Sequence, residues 1–471
     1  MSEKTQVEIL KDELCLKKDH FEFFSPEETE KCDEFCSGYM EFLGTAKTER
    51  ECNTYIIEKA KNEGFRPFSP YERYNAGDKV YLDNRGKALI LAVMGQKGVS
   101  EGAKIVASHI DSPRLDLKPT PLYEDSELAY FKTHYYGGIR KYQWTAIPLS
   151  LHGVLIKADG TSVCVNIGEK EGEPKFVITD LLPHLAKEQA KRTLSEAIKG
   201  EELNILIGSR PFKSDSGSEL VKLNILKILN EKYGVIEKDF ISAELELVPA
   251  FPVSDIGFDR SLIVAYGHDD RVCAYTALKA IIDTEKPKRT SVCFLADKEE
   301  IGSMGVTGMQ SRFFENFVAE MIDKIKPAYS ELMLKRTISA SMCLSSDVTC
   351  AMDPNYKSVS EPMNSAYLGE GVAFAKFTGA RGKSSTSDAN AEFVAKIRKI
   401  LNDADVAWQM AELGKVDQGG GGTIAYLAAK YGMNVIDSGV AVQNMHAPWE
   451  VTSKVDVYET YLSYKAFLKE F

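Results

Sequence analysis

Over its C-terminal half, the chain alternates short apolar runs with amphipathic segments, and this alternation most narrows the folds that it can adopt. The runs SLIVAYG, TSVCFLAD and GVAFAKF are each followed by a segment with apolar residues at helical spacing. Strands that alternate with helices of this length pair mainly in parallel, and the helices cover both faces of the sheet. We therefore predict an α/β fold with a mainly parallel sheet.

A stretch of different character interrupts this pattern between residues 120 and 250. It contains alternating stretches (SELAYFKTHYYGGI, LHGVLIKADGTSVCVNIG), turn residues and one long amphipathic segment, LLPHLAKEQAKRTLSEAIKG, which predicts a helix. We interpret 120–250 as an inserted, β-rich domain. The main domain is then discontinuous, with residues 1–119 and 251–471, and spacing predicts two helices within 27–64.

Five islands of acidic residues and histidine occur in this framework. All but the second directly follow a strand-like run, so four strands would bring polar side chains to one end of a sheet, where open α/β sheets bind ligands. Paired acidic residues are usually solvated surface, but five islands in these positions are hard to obtain by chance. The islands are His109 with Asp111, Asp269-Asp270, Glu299-Glu300, Asp347, and His446.

These side chains predict a site for two metal ions. Carboxylate oxygens with one imidazole per ion suit zinc, cobalt or manganese, held about 3.5 to 4 Å apart. Such a pair needs five protein ligands if one carboxylate bridges the ions. The chain offers this number: His109 and Asp347 or Glu300 and His446 as terminal ligands, with Asp269 as the bridge. The pairing of the terminal ligands stays open.

The remaining acidic residues of the islands suit supporting roles. Neighbouring side chains diverge at Glu299-Glu300, so one carboxylate can hold metal while the other acts as the general base. Asp111 lies on the same side of an extended chain as His109, and it can accept the second ring N–H of a ligand histidine or orient the base. We expect Asp270 to hydrogen-bond locally.

Composition restricts the partners of the chain. A net charge of −11 and a pI near 5.4 argue against nucleic-acid and anionic-membrane partners, which need a concentrated basic face. No run of about 18 apolar residues occurs, and the start MSEKTQVEILKDEL lacks the features of a signal peptide. Nine scattered cysteines without a CxxC motif favour free thiols. We expect a cytoplasmic protein that acts on peptides or small molecules.

Two glycine-rich stretches are candidates for function. The stretch from Gln418 to Thr423 lacks the lysine and the spacing of nucleotide-binding loops. We expect Gly421 and Gly422 there to let a substrate backbone or carboxylate approach a helix N-terminus. The second stretch, 135–138 within the inserted domain, is interpreted as a turn.

Five motifs together resemble one known family, the aspartyl aminopeptidases and aminopeptidase I, which are dinuclear zinc exopeptidases. The similarity spans nearly the whole chain, and its motifs are SHIDSPRLDLKP, GHDDRVCAYTAL, DKEEIGSMG, SSDVTCAMDPNY and NMHAPWE. The resemblance implies that His109, Asp269 and Asp347 hold one zinc ion, whereas Asp269, Glu300 and His446 hold the other. It also implies that Glu299 is the general base and acid.

The resemblance carries further expectations about assembly and substrate. In the family, the inserted domain forms dimers that assemble into a dodecamer with an enclosed chamber, and a histidine from a neighbouring subunit reaches the reaction site. His184 is similar in place to that histidine, and Lys376 to a lysine that lines the substrate site. The sequence around Lys376, GARGKSSTSDANAEF, differs from the pattern of the aspartyl-specific members of the family. The resemblance therefore does not imply a preference for substrates with an acidic N-terminal residue.

The resulting hypothesis is a metalloaminopeptidase that removes the N-terminal residue from peptides. One alternative is a dinuclear deacylase of N-acyl amino acids, which would use the same ligands but reject a free α-amine. A second alternative is a catalytically silent assembly or cargo protein. The intact Glu299 argues against this second alternative.

Overall fold

The computed structural model describes residues 4–15, 25–214, 216–325 and 329–469. Within these ranges, no helix has both the length and the apolar character that a membrane crossing requires. Two helices within 27–64 are confirmed, and all nine cysteines are free thiols. The α-helices span Gln6–Leu14, Pro26–Thr45, Glu49–Asn62, Leu220–Tyr233, His268–Ile282, Phe313–Ile325, Glu331–Ser339, Ala391–Asp403, Ala425–Ala429 and Lys454–Lys469.

A nine-stranded mixed sheet forms the centre of the molecule. Its four middle strands pair in parallel, and antiparallel pairs occur toward both edges. The predicted α/β fold is therefore confirmed. In spatial order the strands are Arg66–Pro67, Lys79–Asn84, Ala88–Val93, Ser291–Ala296, Lys104–His109, Met342–Ser346, Asn434–Gly439, Val372–Ala375 and Trp408–Met410.

Hydrophobic clusters cover both faces of this main sheet. Along Ala88–Val93, Leu89 and Leu91 pack into one cluster, whereas Ile90 and Ala92 pack into another. Successive side chains of a strand point to opposite faces, so the two clusters lie on opposite sides of the sheet. Helices Pro26–Thr45 and Lys454–Lys469 contribute to the first cluster, and Phe313–Ile325 contributes to the second. Because both faces of the sheet are covered, the side chains on both sides of each central strand are buried. This explains why these strands have continuous apolar sequences.

A six-stranded antiparallel sheet forms the inserted region, and its first strand begins at Arg114, six residues before the predicted boundary. The division into two domains stays a prediction. In spatial order its strands are Ser162–Ile167, Leu149–Ile156, Ala243–Pro249, Arg114–Asp125, Leu128–Tyr136 and Ile205–Gly208.

The helix predicted over LLPHLAKEQAKRTLSEAIKG does not form. Residues 181–200 contain turns and a short 3-10 helix at Gln189–Lys191, and the helix of the insert is Leu220–Tyr233 instead. Leu181, Leu185 and Leu194 are more than half exposed. An amphipathic pattern stabilises a helix mainly through tertiary packing of its apolar face, which this segment lacks within the described chain.

A small third sheet was not predicted. The run SLIVAYG was expected to form a strand of the main sheet. Its strand, Leu262–Ala265, belongs to this third sheet instead. The third sheet also divides the apolar run 434–443, because this run leaves the main sheet at Gly439. A Cβ atom at Gly439 would lie 1.9 Å from the Asp347 carbonyl oxygen, so the crossing needs glycine. The strands, in spatial order, are Ser254–Ile256, Leu262–Ala265, Glu450–Ser453, Ala441–Gln443 and Thr349–Cys350.

A buried ionic cluster joins the inserted sheet to the N-terminal helices. His152 lies with Nδ1 2.8 Å from Glu51 Oε1 and Nε2 3.0 Å from Glu169 Oε1. Lys47 Nζ donates to both Glu169 oxygens at 2.9 Å. Burial alone would raise the pKa of Glu169, but the partners His152 and Lys47 lower it to about 2.

We predict that Glu169→Gln lowers the free energy of unfolding at pH 7 by about 1 to 3 kcal/mol, because charge-assisted hydrogen bonds are lost. Folding lowers this pKa from 4.5 to about 2, so the stabilisation is present above 4.5 and is lost as the pH falls toward 2. In urea denaturation, the difference in the free energy of unfolding between Glu169→Gln and wild type should therefore become smaller as the pH falls below 4.5. Exposed Glu171 supplies the control, Glu171→Gln, and an equal loss there would contradict the prediction.

Candidate metal centre

Three of the polar islands meet because three neighbouring strands of the main sheet run parallel. His109 ends the strand Lys104–His109, Asp347 follows Met342–Ser346, and Glu299 follows Ser291–Ala296 after two residues. Carboxyl ends of parallel strands lie at one edge of a sheet, so these side chains converge there.

The other two islands reach the same edge from different elements. Asp269 lies in the first turn of the helix His268–Ile282. His446 lies in the loop after Ala441–Gln443, a strand of the third sheet. The prediction that His446 follows a strand of the same sheet as the others is therefore wrong, because the chain has crossed at Gly439 before it reaches this loop.

Asp269 lies between the two histidines. Its Oδ1 is 3.3 Å from His109 Nε2, and its Oδ2 is 3.1 Å from His446 Nε2. His109 Nε2 is also 3.9 Å from Asp347 Oδ1, and His446 Nε2 is 3.6 Å from Glu300 Oε2. The five predicted ligands thus form two groups that share the Asp269 carboxylate.

The donor atoms fit bound cations. Ligand atoms of His109, Asp269 and Glu300 all lie within 4.8 Å of one another, as do those of His109, Asp270 and Asp347. Glu300 Oε1 and Asp270 Oδ1 are buried without a hydrogen-bond partner among the described residues. Burial and the charge of Asp269 raise the pKa of Glu300 well above its usual range. Cations would satisfy these oxygens, and oxygen with imidazole donors suits zinc.

Asp270 only partly matches the expected local role. Its Oδ2 accepts a hydrogen bond from Ser108 Oγ at 2.6 Å and one from the His109 backbone N–H at 3.4 Å. Burial raises its pKa to about 8. Because the second oxygen has no hydrogen-bond partner among the described residues and lies close to His109 and Asp347, Asp270 is a further candidate donor for this group.

Asp111 connects the first histidine to the Glu299-Glu300 turn. His109 Nδ1 lies 3.0 Å from the Asp111 backbone oxygen and 3.3 Å from its Oδ1. The backbone N–H groups of Glu299 and Glu300 donate to Oδ1 and Oδ2 at 3.1 and 3.2 Å. One buried carboxylate therefore orients both the candidate ligand His109 and the turn that carries the candidate base.

Glu299 lies beside the candidate ligands at the cavity wall. The 3-10 turn Glu299–Ile301 follows Lys298, which has a φ of 68°. Burial raises the pKa of the Glu299 carboxyl to about 7, while His109 opposes the rise and Asp111 adds to it. The side chain accepts no hydrogen bond from the described residues, so it is available to a proton donor in the cavity.

Two supporting contacts were missed by the sequence analysis. The Glu450 carboxylate accepts hydrogen bonds from the backbone N–H of Asp269 at 3.0 Å and from that of His446 at 2.7 Å. The carbonyl of Gly138 accepts a hydrogen bond from His446 Nδ1 at 3.0 Å, so Nε2 is left for metal. Glu450 belongs to the motif NMHAPWE, but the sequence analysis assigned no role to it. Gly138 was interpreted as part of a turn, and it lies 308 residues from His446 in the sequence.

A cavity of about 540 Å³ extends from these ligands to the glycine-rich loop, where Gly421 and Gly422 line it. The preceding Gly420 has a φ of +123°, and a Cβ atom there would lie 2.1 Å from the Gly379 carbonyl oxygen. The loop therefore needs glycine to pack this closely. The helix after it, Ala425–Ala429, has only five residues.

Four predicted site residues do not line this cavity, and two of them, His109 and Asp111, are buried in the cluster described above. Lys376 follows the strand Val372–Ala375, whose Ala375 lines the cavity, but its ammonium group pairs with Asp388. His184 lies in an exposed turn of the insert, outside the cavity.

Comparison with known proteins gives concordant results. A family model described as aminopeptidase I zinc metalloprotease (M18) matches residues 42–468. A probable M18 family aminopeptidase 1 of Clostridium acetobutylicum is 54% identical over 434 residues, covering 91% of this chain and 93% of that protein. The crystal structure of an M18 family aminopeptidase from Thermotoga maritima superposes with a TM-score of 0.93 at 46% identity, covering 97% and 100% of the two chains.

A more distant structure has the same fold. The S. cerevisiae mApe1 dodecamer gives a TM-score of 0.75 at 21% identity, covering 94% of this chain and 97% of that chain.

We predict that Glu450→Gln weakens metal affinity by about 10- to 100-fold, because an amide offers one acceptor oxygen to two backbone N–H groups. Titration with a competing chelator, followed by measurement of bound zinc, gives the affinity. Glu320→Gln on an exposed helical position serves as the control. Wild-type affinity in Glu450→Gln would show that these two hydrogen bonds do not hold the ligands.

Proposed function

Because the chain belongs to the aminopeptidase I zinc metalloprotease (M18) family, and is therefore a zinc aminopeptidase, we propose that it uses two zinc ions with Glu299 as general base. The observation that carries the proposal is the Asp269 carboxylate, whose two oxygens face two different histidines. A shared carboxylate with one imidazole on each side is a donor arrangement that suits a metal pair.

In this proposal, His109, Asp269 and Asp347 hold one ion, and Asp269, Glu300 and His446 hold the other. The distances from each Nε2 atom to its neighbouring carboxylates support this pairing over the alternatives that the sequence left open. When bound, zinc supplies Lewis-acid polarisation of the scissile carbonyl, makes water more acidic and offers a contact for the free α-amine.

Glu299 moves the proton in the proposed reaction. Its carboxylate takes a proton from the water that attacks the carbonyl carbon, and it passes this proton to the nitrogen of the departing peptide. Asp111 fixes the position of Glu299 through the backbone hydrogen bond at 3.1 Å. The result is hydrolysis of the first peptide bond, with one water consumed and no net change at Glu299.

Substrate binding is proposed for the cavity beside the metal ligands. Gly421 and Gly422 leave its wall without side chains, which suits close approach of a peptide backbone. Lys376 is proposed as a substrate contact at the rim, and its ion pair with Asp388 would have to exchange for that role. Family membership favours an aminopeptidase over a deacylase or a silent protein. Cytoplasmic location stays a prediction.

We predict that Glu299→Gln lowers kcat by at least about 100-fold and leaves two zinc ions per chain, because it removes the proton acceptor but no ligand. Hydrolysis of free and N-acetylated aminoacyl anilides, together with metal analysis, tests this, and Glu320→Gln is the control. Turnover of only the acetylated anilides would favour the deacylase. Wild-type rates in Glu299→Gln would rule out its role as base.

We also propose that the chain forms homo-oligomers in which His184 acts at a neighbouring subunit's site. Around His184, the leucines at 181, 182, 185 and 194 are at least half exposed. An apolar patch of this kind suits a protein interface. The yeast structure that shares this fold is a dodecamer. For this chain we propose dimers that assemble into a dodecamer.

His184→Gln is expected to keep the assembly and lower kcat by about 10-fold or more, whereas Leu185→Asp should disrupt the assembly by placing charge in the interface. Light scattering after size exclusion gives the mass relative to the 52.3 kDa chain. Mixed oligomers of His184→Gln and Glu299→Gln subunits should recover part of the activity. A fully active monomer would exclude action across subunits.

A further inference from the structure

The inserted sheet reaches the candidate base within the same chain, through Tyr136. Tyr136 is the last residue of the strand Leu128–Tyr136 and is only 6% exposed. Its hydroxyl donates to Asp111 Oδ2 at 2.8 Å. This is the same oxygen that accepts the Glu300 backbone N–H, while the other oxygen accepts that of Glu299.

The Tyr136 hydroxyl adds to the donors that limit rotation of the Asp111 carboxylate, which are the backbone N–H groups of the Glu299-Glu300 turn and the His109 ring. The two backbone N–H groups come from one turn, at 3.1 and 3.2 Å, and approach the carboxylate from the main domain. The Tyr136 hydroxyl approaches from the insert and is the shorter contact. Hydrogen bonds to a charged acceptor are stronger than neutral ones, so this hydroxyl restrains the carboxylate against rotation.

Arg114 in turn restrains the Tyr136 ring. The two residues are direct cross-strand partners, and the guanidinium carbon lies 4.0 Å from the ring centroid. Arg114 is itself held by three carboxylates: Glu49 Oε2 at 3.1 Å, Asp116 Oδ1 at 2.8 Å and Glu246 Oε1 at 3.2 Å.

The partners of Arg114 come from both parts of the chain. Glu49 begins the helix Glu49–Asn62 beside the main sheet, whereas Glu246 lies on the inserted strand Ala243–Pro249. A multiply bonded, buried guanidinium has little freedom to move. The ring that it covers is thus fixed relative to both the insert and the main domain.

From this chain of contacts we infer that Tyr136 is a positioning residue for Glu299, acting through Asp111. The inference rests on the proposed role of Glu299 as general base. The insert then has a function within its own subunit, separate from assembly and from His184. Tyr136 itself contacts neither the proposed substrate cavity nor a proposed metal ligand through its hydroxyl.

The test is the variant Tyr136→Phe, which removes the hydroxyl and keeps the buried ring. We expect kcat to fall by about 10-fold and KM to stay within about twofold, because proton transfer is affected more than substrate binding. Zinc content should remain that of the wild type, whereas the unfolding midpoint of the metal-free protein should fall slightly, because one buried hydrogen bond to a carboxylate is lost. The control is Tyr135→Phe on the same strand, whose hydroxyl makes no hydrogen bond among the described residues and whose loss should change nothing.

A double-mutant cycle separates positioning from general destabilisation. In the Glu299→Gln background, Tyr136→Phe should cause no further loss of kcat, since the side chain that it positions is gone. Equal losses in both backgrounds, unchanged kcat in Tyr136→Phe, or loss of zinc together with kcat would each overturn the inference. Wild-type rates in Glu299→Gln alone would instead refute the proposed base.

Discussion

Mutual repulsion among buried carboxylates is the constraint around which the candidate site is organised. Ionised carboxylates are costly to bury unless hydrogen bonds or opposite charges compensate them. Asp111 and Glu450 are compensated by backbone N–H groups, whereas Glu300 and Asp270 each keep an oxygen without a partner among the described residues. The cluster therefore divides into carboxylates that the protein satisfies itself and carboxylates that need a cation. This division separates the proposed ligand Glu300 from the positioning residues Asp111 and Glu450, and it leaves Asp270 as a further candidate donor.

Much of this arrangement could be predicted from the sequence because strand ends are visible there. Apolar runs located His109, Asp347 and the Glu299-Glu300 pair, and parallel pairing then brought them together. The position of His446 was anticipated, but its element was not, since the apolar run before it continues through Gly439 while the backbone changes sheet. A continuous pattern cannot indicate such a crossing. The close approach that demands glycine there depends on a backbone oxygen from a distant strand.

Other features could not be predicted because they depend on contacts between distant segments. Tyr136 and Gly138 lie in a stretch that resembles an ordinary turn, and only tertiary structure places them against Asp111 and His446. For the segment 181–200 the prediction was wrong in the opposite way. Its local pattern favours a helix, but no apolar surface of the described chain packs against its leucines, and the helix does not form. Local periodicity therefore predicted the sheet well, and predicted the contacts between sheets poorly.

The hydrogen bond from His446 to Gly138 involves a main-chain carbonyl, so no side-chain exchange at position 138 removes the acceptor. Its presence depends instead on the inserted strands having docked against the main sheet. A chain lacking the insert would retain every proposed metal ligand but would lose one orienting contact to His446, from Gly138, and one to Asp111, from Tyr136. The complete set of contacts around the proposed ligands is therefore present only when the inserted sheet and the main sheet are in contact. The orientation of His446 thus depends on the contact between the two sheets as well as on Glu450 of the main domain.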